Sequence, residues 1–522
     1  MQKLTSSVYT FEKLINNDFL YVDKTEYIWK LISEGPASFF MSRPRRFGKS
    51  LTVSTLKAVF EGRKNLFKGL AIYDTGYDWK EYPVIHLDMA NCDAHTPLAL
   101  RKYLVRVLTA LACSHHVSVD IHEDELSASF ESLLRAVAKK SPIVILLDEY
   151  DKPILNTLMT PEAGACRDVL KGFYSSIKKC ESLERFVFVT GVTKFSHVSL
   201  FSELNNLTDI TMHADYATML GYTQEEFEKY FAERLDDAVK RLNIPREQLL
   251  DEIKSWYDGY RFHAKAETVY NPVSLAQFFI NGSEFSNYWF STGTPSFLME
   301  VARKTDFNFE RTLNEPVMGV AFNAFEIDRI DPLTLLLQTG YLTIKSSFVE
   351  LGETQYYLDF PNREVKGAFE TYLISDYAAM PQETVGANVF KMVKAIKAED
   401  IHLFMDLLKT FFAAVQYDVA TDTEGRFQLL FYSVFLLIGV RIEAESRTNN
   451  GRIDAMIRDG EHVYIFEFKL NQTADAALSQ IREKEYYQKY QHAGKKIVLI
   501  GANFDTASRQ ISGWKIEEAI RQ

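Results

Sequence analysis

The sequence predicts a multidomain α/β protein in three parts: a parallel sheet covered on both faces, a helical lid with a winged-helix-like connector, and a compact αβββαβ unit. Three observations carry this. Apolar runs without polar alternation (ASFFMS at 37–42, VIHLDM at 84–89, IVILL at 143–147, RFVFVT at 185–190) are separated by amphipathic segments. Such runs are strands of a parallel sheet buried between helices. From Thr223 the pattern turns helical with charged faces, and from about Gly386 a new order begins. A chain of 522 residues exceeds one core, so domains are expected at 1–220, 221–385 and 386–522.

Each element follows from local pattern. The first strand runs into the turn RPRRFGKS and a helix from Leu51 to about Glu61. A helix over Pro332–Gln338 precedes two short strands, TGYLTIKSS and TQYYLDFPN, a layout similar to a winged helix, though a helical lid and packing connector is the preferred reading. The last part predicts one helix over Val389–Val415 and another over Glu424–Leu437. Strands at Val440–Arg447, Arg452–Arg458 and Val463–Leu470 come next, then a helix from Thr473 to His492 and a strand at Lys496–Gly501.

Composition narrows the function. Hydrophobic residues are 47% and aromatics 13%, which excludes an intrinsically disordered chain. A net charge of −11 excludes a protein that binds nucleic acid through a global basic field, so phosphate contacts must come from local cations or metal. Cys92, Cys113, Cys166 and Cys180 are scattered without CxxC pairs, which speaks against a zinc site and against a disulfide framework. The N-terminus lacks the pattern of a signal peptide, and the greasiest stretch, Leu429–Val440, is too short for a membrane span. A soluble, cytoplasmic protein without membrane contact is expected.

Gly48-Lys49-Ser50, between a strand and a helix, forms the second half of the phosphate-loop pattern GxxxxGK(S/T). There the helix N-terminus faces the anion, the lysine reaches the β and γ phosphates and the hydroxyl ligates Mg²⁺. Arg43 stands where the first glycine belongs and Pro44 removes one N–H. Arg43, Arg45 and Arg46 are expected to replace those dipoles with charge. The strand IVILLDEYD ends in Asp148-Glu149, positions suited to a Mg²⁺ ligand and a water-polarising base.

RPRRFGKSLTVSTL, LDEYDKP and TGVTKFSHVSLFSELNNLTDIT resemble, in this order, the AAA-ATPase-like module of bacterial proteins that often carry a nuclease-fold domain. The resemblance runs from about Leu4 to Asn281 and implies bound ATP and Mg²⁺. It also implies a γ-phosphate sensor after the acidic strand, at Thr190 or Thr193 with Lys194 nearby. Arg43 leaves open whether ATP is hydrolysed or only bound.

In RIDAMIRDGEHVYIFEFK (452–469), Asp459-Gly460 is the expected two-residue hairpin turn. Arg458 would then pair with Glu461 and Asp454 with Ile465, leaving Glu467 diagonal to Asp454 at about 7–8 Å. Lys469 shares that face. Two acids and a lysine suit metal-assisted hydrolysis, although a structural Lys–Glu–Asp cluster would satisfy the same charges.

GRIDAMI, IFEFKL and the helix bearing Gln480 resemble the PD-(D/E)XK nuclease superfamily, over residues 386–522. The resemblance implies Asp454, Glu467 and Lys469 as the catalytic triad, Glu424 as a further metal ligand, and Gln480 as support with Tyr487 on its helix face. Together the two resemblances imply a nucleotide-regulated, metal-dependent nuclease acting on DNA or RNA, with Mg²⁺ or Mn²⁺. The alternative is a nucleotide-gated switch or a nucleic-acid-binding scaffold with a degenerate nuclease fold. A homo-oligomer stays open.

Overall fold

A computed structural model describes residues 1–33, 37–158, 160–195, 206–289, 313, 315–322, 331–415, 423–439, 443–446, 455–460, 462–485, 487, 495–508 and 510–518. The chain forms two compact units, with the boundary between Glu364 and Val365.

The first unit is organised by a five-stranded sheet of β1 (Ala37–Ser42), β2 (Val84–Asp88), β3 (Ile143–Asp148), β4 (Glu184–Gly191) and β5 (Thr208–Asp209), in the order β2-β3-β4-β1-β5. Every pairing is parallel. All six residues of β3 are buried, as its unbroken apolar run requires. Around the sheet lie α1 (Phe11–Asn16), α2 (Thr25–Ser33), α3 (Lys49–Phe60), α4 (Pro97–Ser114), α5 (Leu126–Val137), α6 (Lys152–Thr157) and α7 (Ala163–Lys179). β1 and β3, which carry the two candidate motifs at their C-terminal ends, are separated in the sheet only by β4.

The helical segment contains α8 (Gln224–Tyr230), α9 (Ala232–Leu242), α10 (Arg246–Tyr257) and α11 (Pro272–Ile280). Thr223 and Glu226 start α8 with a reciprocal capping box. Phe227, Phe231, Tyr257, Tyr270 and Phe278 build its own aromatic core. Next, α12 (Pro332–Thr339) is capped by Asp331 and closed by Gly340 at φ +87. β7 (Thr343–Glu350) and β8 (Glu353–Asp359) form the expected hairpin, extended by β6 (Val317–Met318).

The second unit holds α13 from Val365 on (Arg363–Ala378 in full), α14 (Gln382–Lys397), α15 (Ile401–Ala413) and α16 (Thr423–Gly439). The single helix expected over Val389–Val415 is therefore two. Glu399 takes a left-handed φ of +59 and the Asp400 side chain caps α15 through Leu403 N, so the local chemistry ends one helix and starts another.

The sheet runs β13-β12-β11-β10-β9, with β9 (Glu443–Ser446), β10 (Ala455–Asp459), β11 (His462–Leu470), β12 (Lys496–Asp505) and β13 (Gln510–Glu518). β13 was not expected. It is an edge strand whose half-exposed residues and central Gly513 lack a strand-like alternation. One sheet face, with Phe466 and Ile500, packs on Phe404 and Phe435. The other, with Ile465 and Leu499, packs on Leu478 and Ile481 of α17 (Ala474–Glu483). This last helix is shorter than expected, and part of the segment expected to continue it, 488–492, lies outside the described residues.

Candidate functional site

The phosphate loop joins β1 to α3. Gly48 sits at φ +94 with open space where a Cβ would be, so glycine is needed there for backbone conformation rather than for room. Arg46 also adopts a left-handed φ of +68, a conformation that costs a non-glycine residue about 1–2 kcal/mol. Buried Lys49 folds over the loop, its Nζ donating to the carbonyls of Arg43 and Pro44 at 3.0 and 2.9 Å. Burial lowers its pKa, against the pull of Glu149, Asp148 and Asp151. A cavity of about 620 Å³ opens here, lined among others by Arg45, Arg46, Lys49, Ser50, Asp88 and Glu149.

Across it, burial pushes the Asp148 carboxyl up to about 6, opposed by a hydrogen bond from Ser50 and by Lys49, and reinforced by Glu149 and Asp88. Glu149, at φ +49, is likewise shifted up, mainly by burial. Its backbone N–H donates to Asp148 Oδ1 at 2.9 Å, which orients the Asp148 carboxylate.

Two expectations need correction. Arg43 does not supply charge to the loop: its guanidinium is buried, donating to Ser42 O, Thr211 O and Tyr216 O at 2.9, 2.6 and 3.1 Å. It stacks 4.1 Å from the Phe262 ring centroid. Burying a guanidinium is costly unless its donors are met: Nη1 and Nη2 take the carbonyls on that side, while Nε has no hydrogen-bond partner among the described residues. Nor does Thr190 face the cavity; its hydroxyl donates to Met41 O in β1 at 2.8 Å. The other sensor candidates are also engaged: Thr193 with Asp151 and Lys194 with Asp209 at 2.5 Å.

Asp151 was missed. Buried at the end of the LDEYD run, it accepts from the N–H groups of Val192 and Thr193 and from the Thr193 hydroxyl. The signal was present as a third acid in LDEYD and as a distant TGVT, but only the fold brings the two segments together. On the loop's other side, Trp289 Nε1 donates to Arg45 O at 3.3 Å. The Trp289 N–H donates to Glu364 Oε1 at 2.7 Å. Phe47 packs edge-on against Tyr260 and Phe262.

In the second unit the β10–β11 register also differs from expectation. Arg458 pairs with Val463 and Asp459 with His462, so the chain reverses after Asp459, at Gly460, rather than at Asp459-Gly460. Gly460 has φ +53, which suits glycine at the first turn position. The last described pair is Ala455 with Phe466. Asp454 lies outside the described residues. Glu424 falls in α16, but its side chain is also outside what the structure describes.

Glu467, Lys469 and Gln480 converge. Period-two alternation sends Val463, Ile465, Glu467 and Lys469 of β11 toward α17. There Gln480 Nε2 donates to Glu467 Oε1 and Lys469 Nζ donates to Gln480 Oε1. Lys469 Nζ lies 3.5 Å from Glu467 Oε1, with side-chain exposures of 20% and 2%; the lysine reaches solvent while the carboxylate does not. Tyr487 packs beside the Leu478–Ile481 cluster.

Ser50 and Asp148 offer hard oxygen donors suited to Mg²⁺, which otherwise keeps water and phosphate ligands. Glu467 offers a further oxygen donor beside an ammonium, the donor type a nuclease metal uses. Among the described residues no three His, Cys, Asp or Glu side chains cluster as a complete metal site. No described helix is long and apolar enough to cross a membrane.

A family model of predicted AAA-ATPase domains matches residues 6–201, and one of the PD-(D/E)XK nuclease superfamily matches residues 422–514. These two domains point to ATPase and nuclease activity in one chain. The chain is also 35% identical, over 99% of its own length and 99% of the relative's, to the uncharacterized protein in the vnfD 5′ region of Azotobacter chroococcum mcd 1. The protein therefore belongs to the family of that Azotobacter relative, and it joins a predicted AAA-ATPase domain to a PD-(D/E)XK nuclease superfamily domain.

Proposed function

We propose that the protein is a metal-dependent nuclease whose cleavage of DNA or RNA is regulated by ATP bound at the N-terminal loop. The observation that carries this is the convergence of Glu467, Lys469 and Gln480. A carboxylate buried within an apolar strand costs several kcal/mol unless compensated, and here its neighbours are an ammonium that reaches solvent and an amide from another element.

Glu467 would hold Mg²⁺ or Mn²⁺ together with Asp454 and Glu424. Support for Asp454 comes from connectivity: Ala455 pairs with Phe466, and Asp454 and Glu467 are the next residues in sequence on either side of that pair. A divalent ion there supplies Lewis-acid polarisation of the phosphoryl oxygen and a more acidic water. Lys469 orients the attacking water and steadies developing charge, and Gln480 keeps its ammonium aimed.

At the other site Lys49, Arg45 and Arg46 bind the phosphates, Ser50 and Asp148 hold Mg²⁺, and Glu149 polarises water. Lys49 must exchange the Arg43 and Pro44 carbonyls for phosphate oxygens, a swap of neutral acceptors for charged ones that favours the bound state.

One observation favours the second reading, a nucleotide-gated scaffold: the Glu467, Lys469 and Gln480 side chains already bond one another, as a purely structural cluster would. Plasmid and single-stranded DNA and RNA, incubated with Mg²⁺ or Mn²⁺ with and without ATP, decide between them. Cleavage lost in Asp454→Ala establishes the nuclease; nucleotide binding with no cleavage under any condition establishes the scaffold.

A further inference from the structure

Gly501 stands beside this cluster. On β12 it is the register partner of Glu467, and the same alternation that turns Glu467 toward α17 turns the missing Gly501 side chain there too. A Cβ at Gly501 would lie 2.5 Å from Ala474 O, 2.8 Å from Leu478 N and 2.8 Å from Leu478 Cγ. Two of those atoms are backbone of α17, so the helix cannot yield by turning a rotamer; it must lift away from the sheet. Gly513, one strand over on β13, has nothing within 4 Å of its Cβ position. Close approach of helix to sheet is thus built in at one glycine, and it is the one next to the buried carboxylate.

The helix that rests on Gly501 also carries Gln480, two residues beyond Leu478. Gln480 bridges Glu467 and Lys469 through its two amide atoms. Its reach is limited: the amide touches both partners only while the helix backbone stays in contact with β12. Neighbouring positions on the same face of β12 hold Leu499, packed on Leu478 and Ile481, and Asn503, whose Oδ1 accepts from Gln472 N at 2.7 Å. Asn503 thus holds the chain just before α17 and Leu499 packs on its middle and C-terminal part, with Gly501 between them on β12 where the helix backbone comes close.

We propose that Gly501 is a positioning residue of the nuclease site: by admitting the α17 backbone against β12 it places the Gln480 amide between Glu467 and Lys469 and so holds the Lys469 ammonium in its working orientation. The role rests on the nuclease reading above, but the placement can be tested without cleavage.

The test uses the full chain and four variants, Gly501→Ala, Gly513→Ala, Gln480→Ala and the Gly501→Ala/Gln480→Ala pair. The rate of Lys469 acylation by an acetyl ester at neutral pH is followed by mass spectrometry, alongside Mn²⁺-dependent plasmid cleavage. Losing the amide's hold should raise Lys469 acylation in Gln480→Ala, and Gly501→Ala should raise it equally, with no further rise in the pair. That non-additivity identifies one shared interaction rather than general loosening.

Gly513→Ala should label and cleave as wild type. Cleavage by Gly501→Ala should fall about 10–100-fold, the usual effect of losing an outer-shell partner. If Gly501→Ala does not fold, Gln480→Asn replaces it, since shortening the side chain by one methylene removes the same reach without touching the sheet. Wild-type acylation of Lys469 in Gly501→Ala, or in Gln480→Asn where that stands in for it, overturns the proposal. A wild-type chain that cuts no substrate, with the labelling pattern intact, overturns the nuclease reading and leaves the positioning role standing.

Discussion

Asp151 Oδ2 lies 2.6 Å from both the amide nitrogen and the hydroxyl of Thr193. A third bond, from Val192 N at 3.0 Å, ends on the same oxygen, and Asp151 Oδ1 would be 2.5 Å from a Cβ on Gly191. One buried carboxylate thus ties the end of β4 to the end of β3, next to the cavity beside Lys49. Asp151→Ala strands two amides and a hydroxyl in a dry site, and a cost of about 3 kcal/mol is expected. The melting midpoint of the variant should shift downward accordingly; an unchanged midpoint refutes the strut.

The Asp148 carboxyl is raised by burial to about 6, so the proposed Mg²⁺-nucleotide binding should depend on pH. The metal needs the carboxylate, so affinity should drop up to about tenfold per pH unit below about 6 and level off above 7. The sign for stability is opposite. The folded chain keeps a proton that the unfolded chain loses from about 3.8 upward, so without ligand this group lowers stability as pH rises through 4 to 6. Titration with a fluorescent ATP analogue from pH 5 to 8 checks the first trend, and Asp148→Asn should flatten it toward the dependence of the nucleotide's own phosphate.

At the C-terminal site, Glu467→Gln and Lys469→Met are each expected to reduce cleavage by at least about 100-fold while leaving the fold intact. Chelation should abolish activity and added Mg²⁺ restore it. Circular dichroism melting of both variants, run beside the cleavage assay, separates lost chemistry from lost structure. Wild-type cleavage by either variant removes the assigned role.

Trp289→Phe keeps a ring beside Tyr341 but removes the indole N–H that holds Arg45 O. A neutral hydrogen bond contributes about 1 kcal/mol, so ATP affinity should weaken about fivefold through a looser loop. Calorimetric titration measures it; equal affinity means the indole bond does not order the loop.

Local chemistry made much of this protein legible before folding. Gly48-Lys49-Ser50, the acidic end of β3 and the Glu467–Lys469 face of β11 follow from adjacency and period, which neighbouring residues alone dictate. Long-range relations were not legible. The β10–β11 register slipped by two residues because such a shift leaves every side chain on the same face, so hydrophobic alternation is satisfied either way. Only the turn at Gly460 separates the two.

Arg43 reads as a loop cation in sequence, yet its guanidinium is claimed by the carbonyls of Thr211 and Tyr216, residues about 170 positions away in the chain. By itself, then, the sequence determined the buried central strands and which charged groups they present, but not the edge strand β13. Tertiary structure decided which of those groups meet, because burial makes each polar atom take whatever partner the packed chain brings within reach, as Asp151, Gly501 and Gln480 each show.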